Sequence, residues 1–473
     1  MASAWLGIDL GTQGVRALFV TADGQVLGTG SAPLVRGRRE GARHEQDPGE
    51  WWEAVRTAAR TALDGVRTPV AGVAVCGTSG TVLLTDDAGR PLGPALMYDD
   101  RRAAAEGARL RSAGLAVQDT WALPKARWLT ARHGPGRVAH QPDVITARLV
   151  GHRVPSDSSH ALKTAYDLRR DAWPELTGLP PDALPPVVPP GTRLGEVGPA
   201  AADATGIPAG TPVIAGMTDG CAAQIAAGAL RPGAWNSVLG TTLVLKGAAT
   251  EPVADPAGVV YNHRGPDGTW LPGGASSVGA GVLTARFPGA DPAALDARAA
   301  AFEPSNAVAY PLVSPGERFP FHAPHATSLL LGDPESDADL WAALLQGVAF
   351  TERLCLDYLH HLGAPLDGTL ALTGGGARSA YWTQLRADVL GRPVRVPART
   401  EPALGMAALA AYGTGAAPTL AEAAEGMVRA GTTVEPRPGR TARFTEPYAR
   451  LVAELEARGW LPGAVAGHAR ARM

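Results

Sequence analysis

The sequence predicts an α/β fold built as two halves of similar design, and three observations carry that prediction. An apolar run, a Gly-Thr turn and a second apolar run open the chain at "GIDLGTQGVRALFV" (7–20), and the arrangement returns at "NSVLGTTLVLKG" (236–247). In each half, strand-like runs bounded by glycine alternate with segments of helical length. The chain has 473 residues, more than one hydrophobic core ordinarily organises, so two domains are the default. The halves are placed at 1–233 and 234–473, with the last helices free to pack back on the first half.

Alternation places strands near 4–10, 15–21 and 24–32, the last two joined by "ADGQ". A helix begins at Pro48. Asp47 suits its N-cap, proline suits its first turn, and Glu50 completes a capping-box spacing. "VAGVAVCG" (70–77) reads as a buried strand and "TVLLTDDAGRPLGPALMY" as a hairpin. Helices dominate 100–150, and "GLPPDALPPVVPPG" (178–191) reads as an extended surface connector. "GTPVIAGMTDG" supplies a strand ending at Asp219. The second half adds a long amphipathic helix at about 338–361, a strand in "GTLALTGGG", and helices from Arg378 and from Pro402.

Composition excludes several classes of function. Hydrophobic residues make up 45% and charged residues 19%, which suits a globular rather than a disordered chain. A net charge of −2 and a pI near 6.6 leave no basic footprint for nucleic acid or an anionic membrane. Apolar runs fall short of the roughly 18–20 residues a membrane helix needs, and no signal-peptide pattern opens the chain. Cys76, Cys221 and Cys355 are isolated and odd in number, against a disulfide framework or a zinc cage. A cytoplasmic monomer or homodimer is expected. Of the 43 basic residues only Lys125, Lys163 and Lys246 are lysine. They are either accidents of an arginine-rich composition or places where a compact ammonium is needed.

The residues that carry chemistry begin with Asp9, an acid inside an apolar strand. Its turn is neither a Walker loop nor a dinucleotide fingerprint. A Gly-Thr turn lets backbone N–H groups and a hydroxyl approach phosphate oxygens, and one such turn from each half suits a nucleotide clamped across an interdomain cleft. Asp9 cannot bind phosphate directly, but it can hold Mg²⁺ through water; the plainer reading is an acid capping the turn. Asp219 stands at the mouth of the small-residue segment "GCAAQIAAGAL", as an N-cap favoured by the helix dipole or as a general base. "TGGGARSAYWTQL" (373–385) allows close approach of a flat or phosphorylated ligand. His322, His325 and the pair His360-His361 lack a third ligand at a sensible spacing and read as surface residues. Of Trp51 and Trp52, one is expected to pack and the other to be partly exposed.

Taken together, these motifs resemble the FGGY carbohydrate kinases over nearly the whole chain. "DLGTQGVRA" resembles the family's first phosphate motif, with Gln13 where many members carry serine, and "LGTT" (239–242) resembles the second. "TGGGARSAYWTQLRADVLGRPV" resembles the adenosine motif and "EPALGMAALAAYGTG" the helix that follows it. "LPKARWL" (123–129) resembles a family signature and includes Lys125, while "AGMTDGCAAQIAAGA" matches the segment carrying the catalytic aspartate. The resemblance implies two ribonuclease-H-like domains of the actin-like ATPase superfamily, an interdomain catalytic cleft, and ATP and Mg²⁺ as cofactors. It implies that Asp219 is the base and that Asp9 orders Mg²⁺. It also implies that Thr12, Gln13, Gly14, Gly240 and Thr241 face the phosphates, and that Gly375, Gly376, Ser379 and Trp382 face the adenosine.

The substrate follows from a shorter stretch. Where glycerol kinases carry an Arg-Glu pair and xylulokinases a Met-His pair, "CGTSGTVLL" has Thr78-Ser79, so glycerol is disfavoured. With "YPLVSPGERFP" (310–320), the chain most resembles the D-ribulokinase-like (xylulokinase-like) sugar kinases of cyanobacteria and plant plastids. That implies D-ribulose as substrate and D-ribulose 5-phosphate as product: Asp219 deprotonates the terminal hydroxyl, which attacks the γ-phosphate in line. Asp100, in "MYDDRR", aligns with the family's Trp-x-Asp-x-Arg stretch and either faces the sugar or is a surface acid. D-xylulose or another ketose or polyol is the alternative within the class. Outside it stand an actin-like ATPase switch without a sugar substrate and a chain that only binds nucleotide. Asp219 and the sugar-sized polar turn speak against the switch, and ATP turnover stimulated by one sugar separates the three.

Overall fold

Strand β1 (Ala4–Leu10) is buried at all seven positions, as a strand covered on both faces must be. In the computed structural model, which describes residues 3–35, 37–429 and 431–473, β1 pairs antiparallel with β2 (Gly14–Thr21). On its other edge β1 runs parallel to β4 (Val70–Gly77), and β3 (Val26–Pro33) extends the sheet beyond β2. Helix α1 (Pro48–Leu63) starts where the sequence places it, with Asp47 accepting from the Gly49 N–H. The expected capping box does not form: the Glu50 N–H bonds to the Asp47 carbonyl instead. Trp51 is buried and donates to Gln46, while Trp52 is partly exposed beneath Arg148.

Two further strands, β5 (Arg193–Glu196) and β6 (Pro212–Ile214), complete the order β5-β6-β4-β1-β2-β3. The strand expected to end at Asp219 stops at Ile214. Gly216 crosses so close to β4 that a Cβ there would lie 1.9 Å from the Val75 carbonyl oxygen, and only a bridge from Thr218 to Gly77 continues the ladder. The Pro-rich stretch is extended but is no simple surface connector. It holds a 3₁₀ turn at Pro181–Ala183 and buries Leu179 and Leu184 in a small core with Leu123 and Leu129. Helices α2 (Ala122–His133), α3 (Gln141–Val150) and α4 (Asp219–Ala226) carry the site described below.

The chain divides into two compact units, not at a single cut. The first comprises Met1–Gly228, His263–Gly268 and Glu401–Arg429; the second comprises Ala229–Asn262, Thr269–Thr400 and Ala430–Met473. The helix Pro402–Gly413 therefore belongs with β1 and α4. A Cβ on Gly7 would lie 1.8 Å from the Ala403 carbonyl oxygen, and one on Gly405 would lie 2.1 Å from that of Ala222. Bare backbone at Gly7 and Gly405 is what lets this helix press on both the Asp9 strand and the Asp219 helix.

The second unit repeats the design. Strands β7 (Trp235–Leu239) and β8 (Leu243–Gly247) form an antiparallel hairpin, β9 (Trp270–Ser276) pairs with β8, and β10 (Leu370–Thr373) runs parallel to β7. Strands β11 (Val394–Val396) and β12 (Thr432–Val434) follow β10 outward. Helix α5 (Asp337–His361) is buried from Ala338 to Leu359 on every side, so it is a core helix and not the amphipathic one expected. Helix α6 (Ala380–Leu390) begins two residues after Arg378, behind a 3₁₀ turn at Gly375–Arg378. The three cysteines are buried and form no disulfide, and among the described residues no helix is long and apolar enough to cross a membrane.

Candidate active site

The first unit brings together the two carboxylates singled out in the sequence. Asp9 lies near the end of β1, buried, with Arg16 opposite it on β2 and Cys76 beside it on β4. The Cys76 thiol donates to Asp9 Oδ1 at 3.5 Å, and Arg16 Nη1 is 3.7 Å from Oδ2. Burial first, and then the negative charge of Asp219, push the Asp9 carboxyl up to about 6. The same two carboxylates, after burial, raise the Cys76 thiol well above its ordinary range. Asp219 itself is half-buried at the first position of α4, where its Oδ1 accepts from the Gly220 N–H. Thr218 occupies the N-cap position, so Asp219 is not the cap its spacing allows. Its carboxylate sits in the first turn, where the helix dipole favours negative charge.

Beside these acids the turn after β4 carries Thr78 and Ser79. The Thr78 N–H and hydroxyl both bond to Gln141 Oε1, at 2.7 and 2.8 Å, and the hydroxyl also meets Thr81. Thr78 is thus occupied in holding the turn. Ser79 differs: its Oγ is buried without a hydrogen-bond partner among the described residues, as are Gln141 Nε2 and Trp121 Nε1. Gly80 adopts a φ of +97, and a Cβ there would meet Lys163 Cδ at 3.2 Å and the Thr120 carbonyl at 3.6 Å. The lead-in to α2 and Lys163 therefore flank the turn. Buried polar groups normally find partners, and three orphans around one turn mark a place for a polar, hydroxyl-bearing ligand.

Asp100 is neither a surface acid nor a free sugar ligand. It is fully buried, with Oδ2 accepting from the His44 N–H and Arg102 gripping both oxygens. The three lysines are not surface accidents. Lys125 is fully buried, donates to the Met97 carbonyl at 2.7 Å, and is depressed to about 7 by burial and then by Lys163. Lys163 reaches the Ser79 carbonyl at 3.4 Å, and Lys246 is buried over the Tyr261 ring. The histidine pair does meet a third ring, which the sequence does not reveal: His360 Nδ1 is 3.0 Å from His468 Nε2. Even so, no group of three or more metal-ligating side chains that could hold an ion occurs among the described residues.

The Gly-Thr turn of the first unit, offered by the sequence as a phosphate site, reaches solvent. Gly11–Gly14 closes on a bond from the Gly11 N–H to the Gly14 carbonyl, Gln13 is exposed, and the Thr12 carbonyl accepts from Gln46. In the second unit the matching turn has Gly240 half-buried and Thr241 exposed, closed by the Gly240 N–H on the Thr242 carbonyl. There too lies a cavity of about 540 Å³ between Phe287, Trp341, Gly375, Gly376, Ser379 and Trp382. Gly374 is left-handed at φ +82, and a Cβ on Gly376 would lie 2.5 Å from Leu239 Cδ2, so the glycines bring backbone against β7. Ser379 caps α6 and donates to Asp296, which also accepts from Trp341, and the buried Trp382 donates to the Leu345 carbonyl. These polar groups fix the wall. The cavity is mostly apolar and of a size for a nucleoside.

For Mg²⁺ the donor set fits. Asp9 and Asp219 are hard oxygen donors whose mutual repulsion a cation would relieve, and a site of one or two carboxylates completed by water and phosphate is usual for this ion. Gln141, Trp121 and Lys163 were not legible as site residues; the scarcity of lysine was the one signal that pointed at Lys163.

Family models match the chain twice: the N-terminal domain of the FGGY family of carbohydrate kinases over residues 4–226, and its C-terminal domain over residues 235–414. A xylulose kinase of Streptomyces coelicolor is 32% identical over 435 residues, covering 86% of this chain and 87% of its own. A xylulose kinase of Escherichia coli is 28% identical with 86% and 89% coverage. The crystal structure of a xylulose kinase from Rhodospirillum rubrum superposes with a TM-score of 0.85 at 28% identity, over 96% of this chain and 99% of that one.

Proposed function

Because the chain belongs to the FGGY family of carbohydrate kinases, and is a sugar phosphotransferase, we propose that it transfers the γ-phosphate of ATP to the terminal hydroxyl of a ketopentose. We further propose that the preferred sugar is D-ribulose, giving D-ribulose 5-phosphate.

In this reading Asp219 takes the proton of the attacking hydroxyl, and Ser79 Oγ, with Gln141 Nε2, bonds hydroxyls along the sugar. Asp9 holds Mg²⁺, which when bound offsets charge on the phosphates. Backbone N–H groups at Thr12, Gln13 and Gly14, and at Thr241, donate to phosphate oxygens, while Gly240, its N–H spent on the Thr242 carbonyl, gives the second turn its close approach to them. Gly375, Gly376, Ser379 and Trp382 wall the adenosine. Thr78 holds its turn, and Asp100 keeps Arg102 and the His44 backbone in place behind it.

The observation that carries the sugar reading is the orphaned Ser79 hydroxyl, in the unit that bears Asp219. D-ribulose and D-xylulose differ only in the configuration at carbon 3. Apolar contacts separate such epimers poorly, whereas a site built around one hydroxyl discriminates well. Ser79 offers a short hydroxyl in place of a longer side chain, which supports D-ribulose. The names of the relatives favour D-xylulose, the second reading. Steady-state rates with the two sugars decide: kcat/KM is expected to favour D-ribulose by at least about tenfold, the worth of one hydrogen bond. Equal use, or a preference for D-xylulose, overturns the choice of sugar and leaves the kinase assignment standing.

A further inference from the structure

Behind the substrate turn lies a buried polar cluster that the reaction as described does not use. Asp157 Oδ1 accepts from the Ser159 N–H at 3.0 Å, the Ser159 hydroxyl at 2.5 Å and the His160 N–H at 3.0 Å. Its other oxygen faces His160 Nδ1 at 2.7 Å. His160 Nε2 lies 3.2 Å from the Gly77 carbonyl oxygen, and Ser159 Oγ accepts from the Thr218 N–H at 3.0 Å. Ser159 and His160 are fully buried.

The two ends of this cluster are telling. Gly77 immediately precedes Thr78 and Ser79, Thr218 immediately precedes Asp219, and the two residues share an isolated parallel bridge. A carbonyl oxygen only accepts, so His160 Nε2 must carry a proton. With Nδ1 against a carboxylate, the ring carries a second. Burial alone would discharge the imidazole, but the Asp157 charge, with Asp143 further off, outweighs it and raises the ring above its ordinary value. Asp157 is correspondingly held below its own. The neighbouring ring His140 is engaged separately, with Ser156, Asp143 and Thr164.

We propose that Asp157, Ser159 and His160 are positioning residues, a single clamp that grips the Gly77 carbonyl and the Thr218 amide and so fixes the substrate turn and the general base in one register. The inference rests on the reading of Asp219 as base and of Thr78-Ser79 as the sugar turn. The two arms of the clamp make different predictions. Ser159→Ala frees the amide before Asp219, so kcat falls about tenfold or more while the sugar KM stays within about twofold. His160→Leu removes the donor to the carbonyl before the turn, so the sugar KM rises about tenfold. Ser159→Thr returns the hydroxyl and recovers kcat.

The test is steady-state kinetics of these three variants and of Asp219→Ala, with whichever ketopentose the wild type turns over, beside thermal melts of each. The split between kcat and KM, with rescue by threonine, is the supporting result. Wild-type kcat and KM in both Ser159→Ala and His160→Leu, with only a lowered melting temperature, overturn the clamp. If His160→Leu fails to fold, Ser159→Ala and its threonine counterpart decide by the same criterion. An active Asp219→Ala overturns the underlying reading instead, so the two failures are told apart.

Discussion

Replacing Lys125 by methionine removes a buried ammonium and should make the first unit more stable at neutral pH. Burial, and then Lys163, bring the folded-state value from 10.5 to about 7, against partial support from Asp100 and Asp99. Between those values the unfolded chain holds a proton that the folded chain does not, so stability rises with pH. The depression amounts to a penalty of about 4 kcal/mol at pH 7, of which about 2 kcal/mol is relieved by pH 9. Methionine matches the length of the stem but leaves the Met97 carbonyl without its donor, which costs about 1–3 kcal/mol. The net gain at pH 7 is then about 1–3 kcal/mol, shrinking by about 2 kcal/mol at pH 9. Urea unfolding of wild type and Lys125→Met at pH 7, 8 and 9 reads this directly, because titrating groups not coupled to Lys125 cancel in the difference. A difference that does not change across that range, or that grows with pH, refutes the reasoning. A lower kcat/KM for sugar in the stabilised variant would mark Lys125 as kept for function at the expense of stability.

Three further outcomes follow from the site. Asp9 has a raised folded-state value, so proton and cation compete for it up to about pH 6: the Mg²⁺ concentration for half-maximal rate should fall as pH rises through that value, and Asp9→Asn should weaken it and remove the pH dependence. An unchanged Mg²⁺ requirement makes Asp9 structural. Ser79→Ala should lower kcat/KM for D-ribulose by about 1–3 kcal/mol and narrow the gap to D-xylulose, read from paired progress curves. Gly376→Val drives a side chain into Leu239, so the ATP KM should rise at least about tenfold while the sugar KM holds; an unaltered ATP KM removes the glycine wall from the nucleotide site.

The parts of the fold written in local pattern were legible. The two Gly-Thr hairpins are largely apolar runs on either side of a turn, and that signal needs no distant partner. The end of β6 was not legible, because the small residues of "AGMTDG" suit a strand and a bend equally; the close crossing of Gly216 over Val75 decides it. Helix α5 shows helical period in sequence, yet every face meets the core of the second unit, which only packing determines. The burial of Asp100, which the sequence offers either as a sugar-facing residue or as a surface acid, was not legible because its guanidinium partner, two residues on, gives no hint of it. Ser159 and His160 carried no motif, since Thr218 and Gly77 lie 59 and 83 residues away in the chain.

The central claim is that Asp219 activates a sugar hydroxyl for attack on a nucleotide phosphate. The direct measurement is sugar-phosphate formation from ATP and ketopentose by wild type and Asp219→Ala side by side, with nucleotide affinity measured on both. The account predicts a wild type whose ATP turnover depends on the sugar, and a variant slower by about 10²–10⁴ that binds ATP as well as the wild type. A variant retaining more than about a tenth of the wild-type rate, or a wild type that hydrolyses ATP equally with and without sugar, would contradict it.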